Sequence, residues 1–103
     1  MLVYKKIINP KDELNYRLDS IENKYLINDS NRALGFFAAT AGTIIPTQIS
    51  SKDLCYYVVD GQININSEEK SFDLQKEELI LIPHANPYDI HFKENAKVLF
   101  IRF

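Results

Sequence analysis

Cysteine, glycine, methionine and tryptophan are scarce in this chain of 103 residues: it has one Cys, three Gly, one Met and no Trp. The lone Cys55 excludes an internal disulfide and favours a reducing compartment. Concentrated charge is missing too. The formal net charge is −2, and no basic cluster exceeds Lys5-Lys6. A phosphate backbone needs a dense positive face, so nucleic acid is not an expected partner. Long hydrophobic runs are also lacking. The longest, GFFAATAGTIIP over 35–46, falls short of the ~20 apolar residues that cross a bilayer. The opening MLVYKKIINP has no apolar centre of a secretory signal. The expectation is a cytoplasmic protein that engages neither nucleic acid nor membrane.

What is present is material for one core. Hydrophobic residues make up 46% and charged residues 25% of the chain, and its length suits a single domain over 1–103. No repeat, low-complexity tract or linker divides it. Near the start, Asn9 followed by Pro10 reads as a cap and first helical position, with Asp12 placed for a capping box. This predicts a short N-terminal helix from about Pro10 to Arg17, with Leu14 and Leu18 as its apolar stripe. From Lys24 onward the pattern is that of strands, so the core barrel is expected over about 24–103. KYLIN and ALGFFAAT are separated by the turn DSNR. Gly42 opens a turn, and Pro46 breaks the next apolar pair. LCYYVV is followed at once by Asp60-Gly61, a hairpin signal. QININ, KSFDL, ELILI, YDIHF and KVLFIRF follow, separated by SEE, QKEE, PHANP and KENA. Such short strands with turn signals at regular spacing predict an all-β antiparallel sandwich or barrel. LCYYVV is apolar on both faces. Its outer face, with Cys55, Tyr57 and Val59, is therefore expected to be covered, most simply by a second copy in a homodimer.

The stretch IPHANPYDIHF, residues 82–92, holds both histidines and raises the question of a metal site. Alternation puts Tyr88, Ile90 and Phe92 on the apolar, inward face and Asp89 and His91 on the outward face. His84 falls in a turn. A metal needs three or four converging ligands, and this stretch does not supply them.

The spacing of turns and polar positions resembles the cupin superfamily of small jelly-roll barrels. Gly42, Gln48, Ser50, Leu54 and Gly61 stand at the spacing of that family's first motif. Glu77, Pro83, Ala85, Tyr88 and Phe92 stand at the spacing of its second. YVVDGQ and IPHANPY look like the corresponding strands of small single-domain bacterial cupins. The resemblance implies a cupin-type antiparallel jelly-roll barrel. It also implies that the family's metal ligands would fall on Gln48, Ser50, Leu54 and Tyr88, of which none is histidine or glutamate. Neutral amides and hydroxyls are weak ligands for transition metals, so no metal and no other cofactor is expected.

By parity Leu54, Tyr56 and Val58 face inward with Tyr88, and Gln48 and Ser50 lie at the mouth. Gln48, Ser50, Leu54, Tyr56 and Tyr88 are therefore the candidate ligand-binding residues, lining an apolar, tyrosine-bearing cavity for a small and mostly neutral molecule. Nothing cationic is expected nearby, and no inward histidine or carboxylate offers a general base. Each tyrosine also has a plain core reading, with its hydroxyl on a backbone partner. The expected function is a metal-free small-molecule-binding, sensor or accessory domain. The resemblance leaves two alternatives open. One is a cupin enzyme, using atypical metal ligands or working without metal as the sugar epimerases do. The other is the ligand-sensing domain of an arabinose-regulator-type transcription factor, whose DNA-binding helices would lie beyond Phe103.

Overall fold

A computed structural model describes residues 5–103. Among them the chain forms nine strands: β1 (Glu22–Asn28), β2 (Ala33–Ala39), β3 (Ile44–Gln48), β4 (Leu54–Asp60), β5 (Gln62–Ser67), β6 (Ser71–Gln75), β7 (Leu79–Ile82), β8 (Tyr88–Phe92) and β9 (Ala96–Arg102). They make two antiparallel sheets, a five-stranded one in the order β1-β2-β9-β4-β7 and a four-stranded one in the order β3-β8-β5-β6. This arrangement fits a jelly roll. No helix among the described residues is long and apolar enough to cross a membrane.

Period-two patterning builds the core. Ile63 and Ile65 of β5, Ile90 of β8 and Val58 and Val98 of β4 and β9 are buried between the sheets. Each contributes roughly 1.5–3 kcal/mol by leaving water. The alternate residues of β5 point to the other face and bond its two neighbours: Asn64 Nδ2 donates to Ser71 Oγ and Asp73 Oδ1 of β6, and Asn66 Nδ2 donates to Asp89 Oδ1 of β8. The first hairpin is set by Asp29, whose carboxylate accepts from the backbone N–H groups of Asn31 and Arg32, as an Asx turn requires.

Three expectations are corrected. The N-terminal helix is a single 3-10 turn, Pro10–Asp12. Asn9 does cap it, accepting from the Lys11 N–H, but Leu18 lies 82% exposed, so the apolar stripe buries too little to sustain a short helix. The segment instead lies along the outer side of the five-stranded sheet, tied by polar contacts: Glu13 to Lys24, Arg17 to Glu22, and the Tyr16 hydroxyl to Asp60. The second correction is β3, which forms despite Pro46. It is an edge strand and carries a bulge between Ile45 and Gln48, which is where a strand tolerates a residue with no N–H. Third, Asp60-Gly61 is a corner and not a hairpin. β4 pairs with β7 and β9 in one sheet, whereas β5 pairs with β6 and β8 in the other. Gly61 has φ of 82°, and a Cβ there would lie 2.0 Å from the Asn95 carbonyl oxygen. Only glycine lets the chain change sheets so closely.

The turns flanking β7 carry strain of the same kind without glycine. Glu77 has φ of 71° and Ala85 of 64°, the two positions at which the cupin spacing would place glycine. An L-residue held there costs about 1–2 kcal/mol, partly offset by glycine's greater freedom when unfolded. Glu77→Gly and Ala85→Gly are each expected to stabilise the protein by about 0.5–1 kcal/mol, read as a raised urea midpoint with unchanged slope. A loss of stability would mean these turns are not left-handed.

Candidate functional site

Between the sheets, at the end where β4 and β8 begin, a cavity of about 530 Å³ opens to solvent. This lies within the usual range for small-molecule sites. All five residues expected at a binding site, Gln48, Ser50, Leu54, Tyr56 and Tyr88, line it. Each arrives there for a local reason. Leu54 and Tyr56 alternate inward along β4, and Tyr88 starts β8. Gln48 owes its direction to the bulge at Pro46. Ile45 pairs with the inward Ile90, and three residues later simple alternation would turn Gln48 outward. The extra residue brings it opposite Tyr88. Ser50 is pinned by its carbonyl, which accepts from the Ala85 N–H. Its hydroxyl accepts from the Lys52 N–H at 3.1 Å, leaving the hydroxyl proton free to donate.

The floor is polar at one point. Tyr56 from the five-stranded sheet and Tyr88 from the four-stranded sheet meet with their hydroxyl oxygens 2.6 Å apart. Each was expected to be able to reach a backbone partner; instead they satisfy each other. One hydroxyl donates to the other, so the pair retains one O–H proton and a lone pair for a third group. Around it lies an aromatic wall. Phe37 stands edge-on to Tyr56 with centroids 5.7 Å apart, Phe100 lies 5.9 Å from Phe37, and Tyr25 stands edge-on to Phe100 at 5.4 Å. Gly35 makes room for this wall: a Cβ there would sit 2.5 Å from the Lys24 carbonyl oxygen and 3.0 Å from Phe100 Cζ.

The rim corrects the expectation that nothing cationic lies near. Arg102, at the end of β9, lines the cavity with Asn23 and Ser51. The alternation of KVLFIRF contains the signal, since Arg102 shares the inward parity of Val98 and Phe100. Phe37 and Phe100 were legible in the same way and were likewise not singled out. Cys55 faces the opposite side, half-buried, and burial pushes its thiol pKa up, which makes it a poor nucleophile.

Neither histidine reaches the cavity. His84 Nδ1 lies 2.9 Å from Asp53 Oδ1, and the His84 N–H donates to the same oxygen. Those bonds hold the Asp53 carboxyl below its usual range. His91 stands beside Asp89 on the outer face at 3.3 Å. Among the described residues no three His, Cys, Asp or Glu side chains converge as a metal site. The positions where the cupin pattern carries metal ligands present an amide, a hydroxyl, an isobutyl group and a buried phenol. This donor set does not fit a transition metal, which selects imidazole, thiolate or carboxylate.

Burial is the main cause that raises the pKa of both floor tyrosines. For Tyr56 the neighbouring Tyr88 adds to the rise, while for Tyr88 the bond from Tyr56 partly opposes it. Tyr16, half-buried and beside Asp60, is pushed up to about 12. Unfolded tyrosines ionise near pH 10. Above that the folded chain holds protons that the unfolded chain releases, so stability falls as pH rises. The melting temperature is expected to be insensitive to tyrosine ionisation below about pH 9.5 and to drop steadily from about pH 10 to 12, with a shallower fall in Tyr56→Phe. An unchanged slope in that variant would contradict the buried, protonated pair.

No protein-family model matches this sequence. No curated protein matches it. Solved structures do match. A conserved protein of unknown function from Streptococcus pyogenes superposes with a TM-score of 0.91 at 16% identity, over 98% of this chain and 89% of that one. A cupin superfamily protein from Desulfitobacterium hafniense gives 0.90 at 18% identity, over 99% and 94%. A cupin 2 conserved barrel domain protein from Leptotrichia buccalis gives 0.87 at 23% identity, over 92% of this chain and 46% of that one. At these identities the likeness concerns architecture alone, and it agrees with the two-sheet topology. The chain has the cupin fold.

Proposed function

We propose that this chain is a metal-free, cupin-like binding domain that holds a small molecule between its sheets, as a cytoplasmic sensor or accessory protein. The observation that carries this reading is the cavity itself. A space of about 530 Å³ with an aromatic wall persists where the two sheets could have closed on each other. It ends on a hydroxyl pair able to orient a guest. The ligand-binding residues are Gln48, Ser50, Leu54, Tyr56 and Tyr88. The absence of an inward histidine or carboxylate from the lining speaks for binding over acid–base turnover. A thermal-shift screen of small metabolites is expected to give hits whose stabilisation drops by roughly half or more in Tyr88→Phe, in keeping with a lost buried hydrogen bond. Metal analysis of untagged protein purified without chelators is expected to find under about a tenth of an equivalent of any transition metal. Stoichiometric metal would contradict the reading.

The same proposal includes a homodimer. Val59, at one end of the outer apolar stripe of β4, is buried, and the Pro10–Asp12 turn packs against this strand. The other end is open. Cys55 and Tyr57 are flanked by Leu81 and Leu79 of the edge strand β7, which are 63% and 59% exposed. Apolar side chains in a row on an edge strand call for a cover. Light scattering is expected to give a dimer mass for the native chain and a monomer mass for Leu81→Lys. A native monomer would overturn this part alone.

A further inference from the structure

Arg102 gives the cavity a direction that its apolar walls alone would not. It is the one charged residue among the described residues that line the cavity. It sits half-buried at the rim, at the end of β9 between Ala33 and Leu54. Its guanidinium meets a neutral partner: Nη2 donates to Asn28 Oδ1 at 3.3 Å, a long bond that occupies one of five guanidinium N–H donors. Among the described residues no aspartate or glutamate lines the cavity to balance the charge. At the other end, Tyr56 and Tyr88 are 6% and 2% exposed, and their pair keeps one unspent proton. A guest would therefore meet a cation where it enters, an aromatic sleeve along its length and a hydroxyl at the bottom.

We propose that the ligand is a small monocarboxylic acid with an aromatic or branched apolar body, its carboxylate paired with Arg102 and a hydroxyl or carbonyl oxygen on the Tyr56–Tyr88 pair. This rests on the binding reading above and names its substrate class. A planar guanidinium fork matches a carboxylate in two parallel bonds. Ser50, with its hydroxyl proton free, and the amides of Asn23 and Gln48 supply further neutral donors at the rim. One positive side chain balances one negative charge. A phosphate dianion would call for a second cation or a cluster of backbone N–H groups at a helix N-terminus, and the cavity lining offers neither.

The test uses 4-hydroxyphenylacetate, phenylacetate and 4-methylpentanoate, each beside its neutral amide, with phenyl phosphate as a further probe. Binding is measured by calorimetry on the native chain and on Arg102→Gln, Arg102→Lys and Tyr88→Phe. In the native chain at least one acid is expected to bind about tenfold to a hundredfold more tightly than its amide, the range of a charge-assisted hydrogen bond. Arg102→Gln is expected to erase that preference, bringing each acid to the affinity of its amide. Arg102→Lys retains part of the preference, and it carries the test should the glutamine variant melt below the assay temperature. Tyr88→Phe is expected to weaken 4-hydroxyphenylacetate and its amide alike, keeping their ratio. If acids and amides bind equally, or the ratio survives Arg102→Gln, the carboxylate assignment fails and the binding reading stands. Tighter binding of phenyl phosphate than of any acid also overturns it. If no acid, amide or phosphate binds, the assignment and the binding reading fall together.

Discussion

Two phenolic oxygens 2.6 Å apart set much of what this barrel can be. Tyr56 and Tyr88 come from different sheets, and both are buried. A hydroxyl removed from water without a partner costs on the order of 1–3 kcal/mol. The sheets must therefore approach so that the two oxygens meet, which fixes β4 against β8. A pair of aliphatic side chains could have slid past each other or closed the gap. A phenol pair with one bonding distance holds the sheets in register and keeps a polar point at the base of an aromatic sleeve.

The rest of the site follows from local devices that serve the same geometry. The bulge at Pro46 turns Gln48 inward opposite Tyr88. Gly35 lets Phe100 and β1 approach β2, and Gly61 lets the chain step from one sheet to the other beside Ala96. Glu77 and Ala85 hold left-handed turns at their own expense. The positions where the cupin pattern carries metal ligands hold neutral side chains here, and among the described residues lining the cavity the guanidinium of Arg102 is the one charge.

Most of the strands were legible because alternation is a direct image of two faces. Ile63 and Ile65 against Asn64 and Asn66, or Tyr88 and Ile90 against Asp89 and His91, could be read without coordinates. The inward set of β4 was legible in the same way, and with it Leu54 and Tyr56. Gln48 and Ser50 were placed by spacing and not by alternation, because the bulge that turns Gln48 inward has no period. β3 itself went unread for the same reason. Pro46 argues against a strand unless the strand is known to be an edge, and edges are a property of the finished sheet. Asp60-Gly61 was misread because a tight turn says where a chain reverses and not which strand it will pair with. The helix at Pro10 had a cap but nothing to bury. Arg102 was within reach of the pattern and was passed over because it ends a strand, where charged residues are commonly taken as solvent-facing.

The central claim is that the space between the sheets is an open binding site and not a core that closes in water. A crystal structure grown with a mixture of small aromatic acids and their amides tests it most directly. The account predicts density within hydrogen-bonding distance of the Tyr56–Tyr88 oxygens, extending along Phe37 and Phe100 toward Arg102. Sheets drawn together, with Phe37 and Phe100 filling the interior and no density between them, would contradict it.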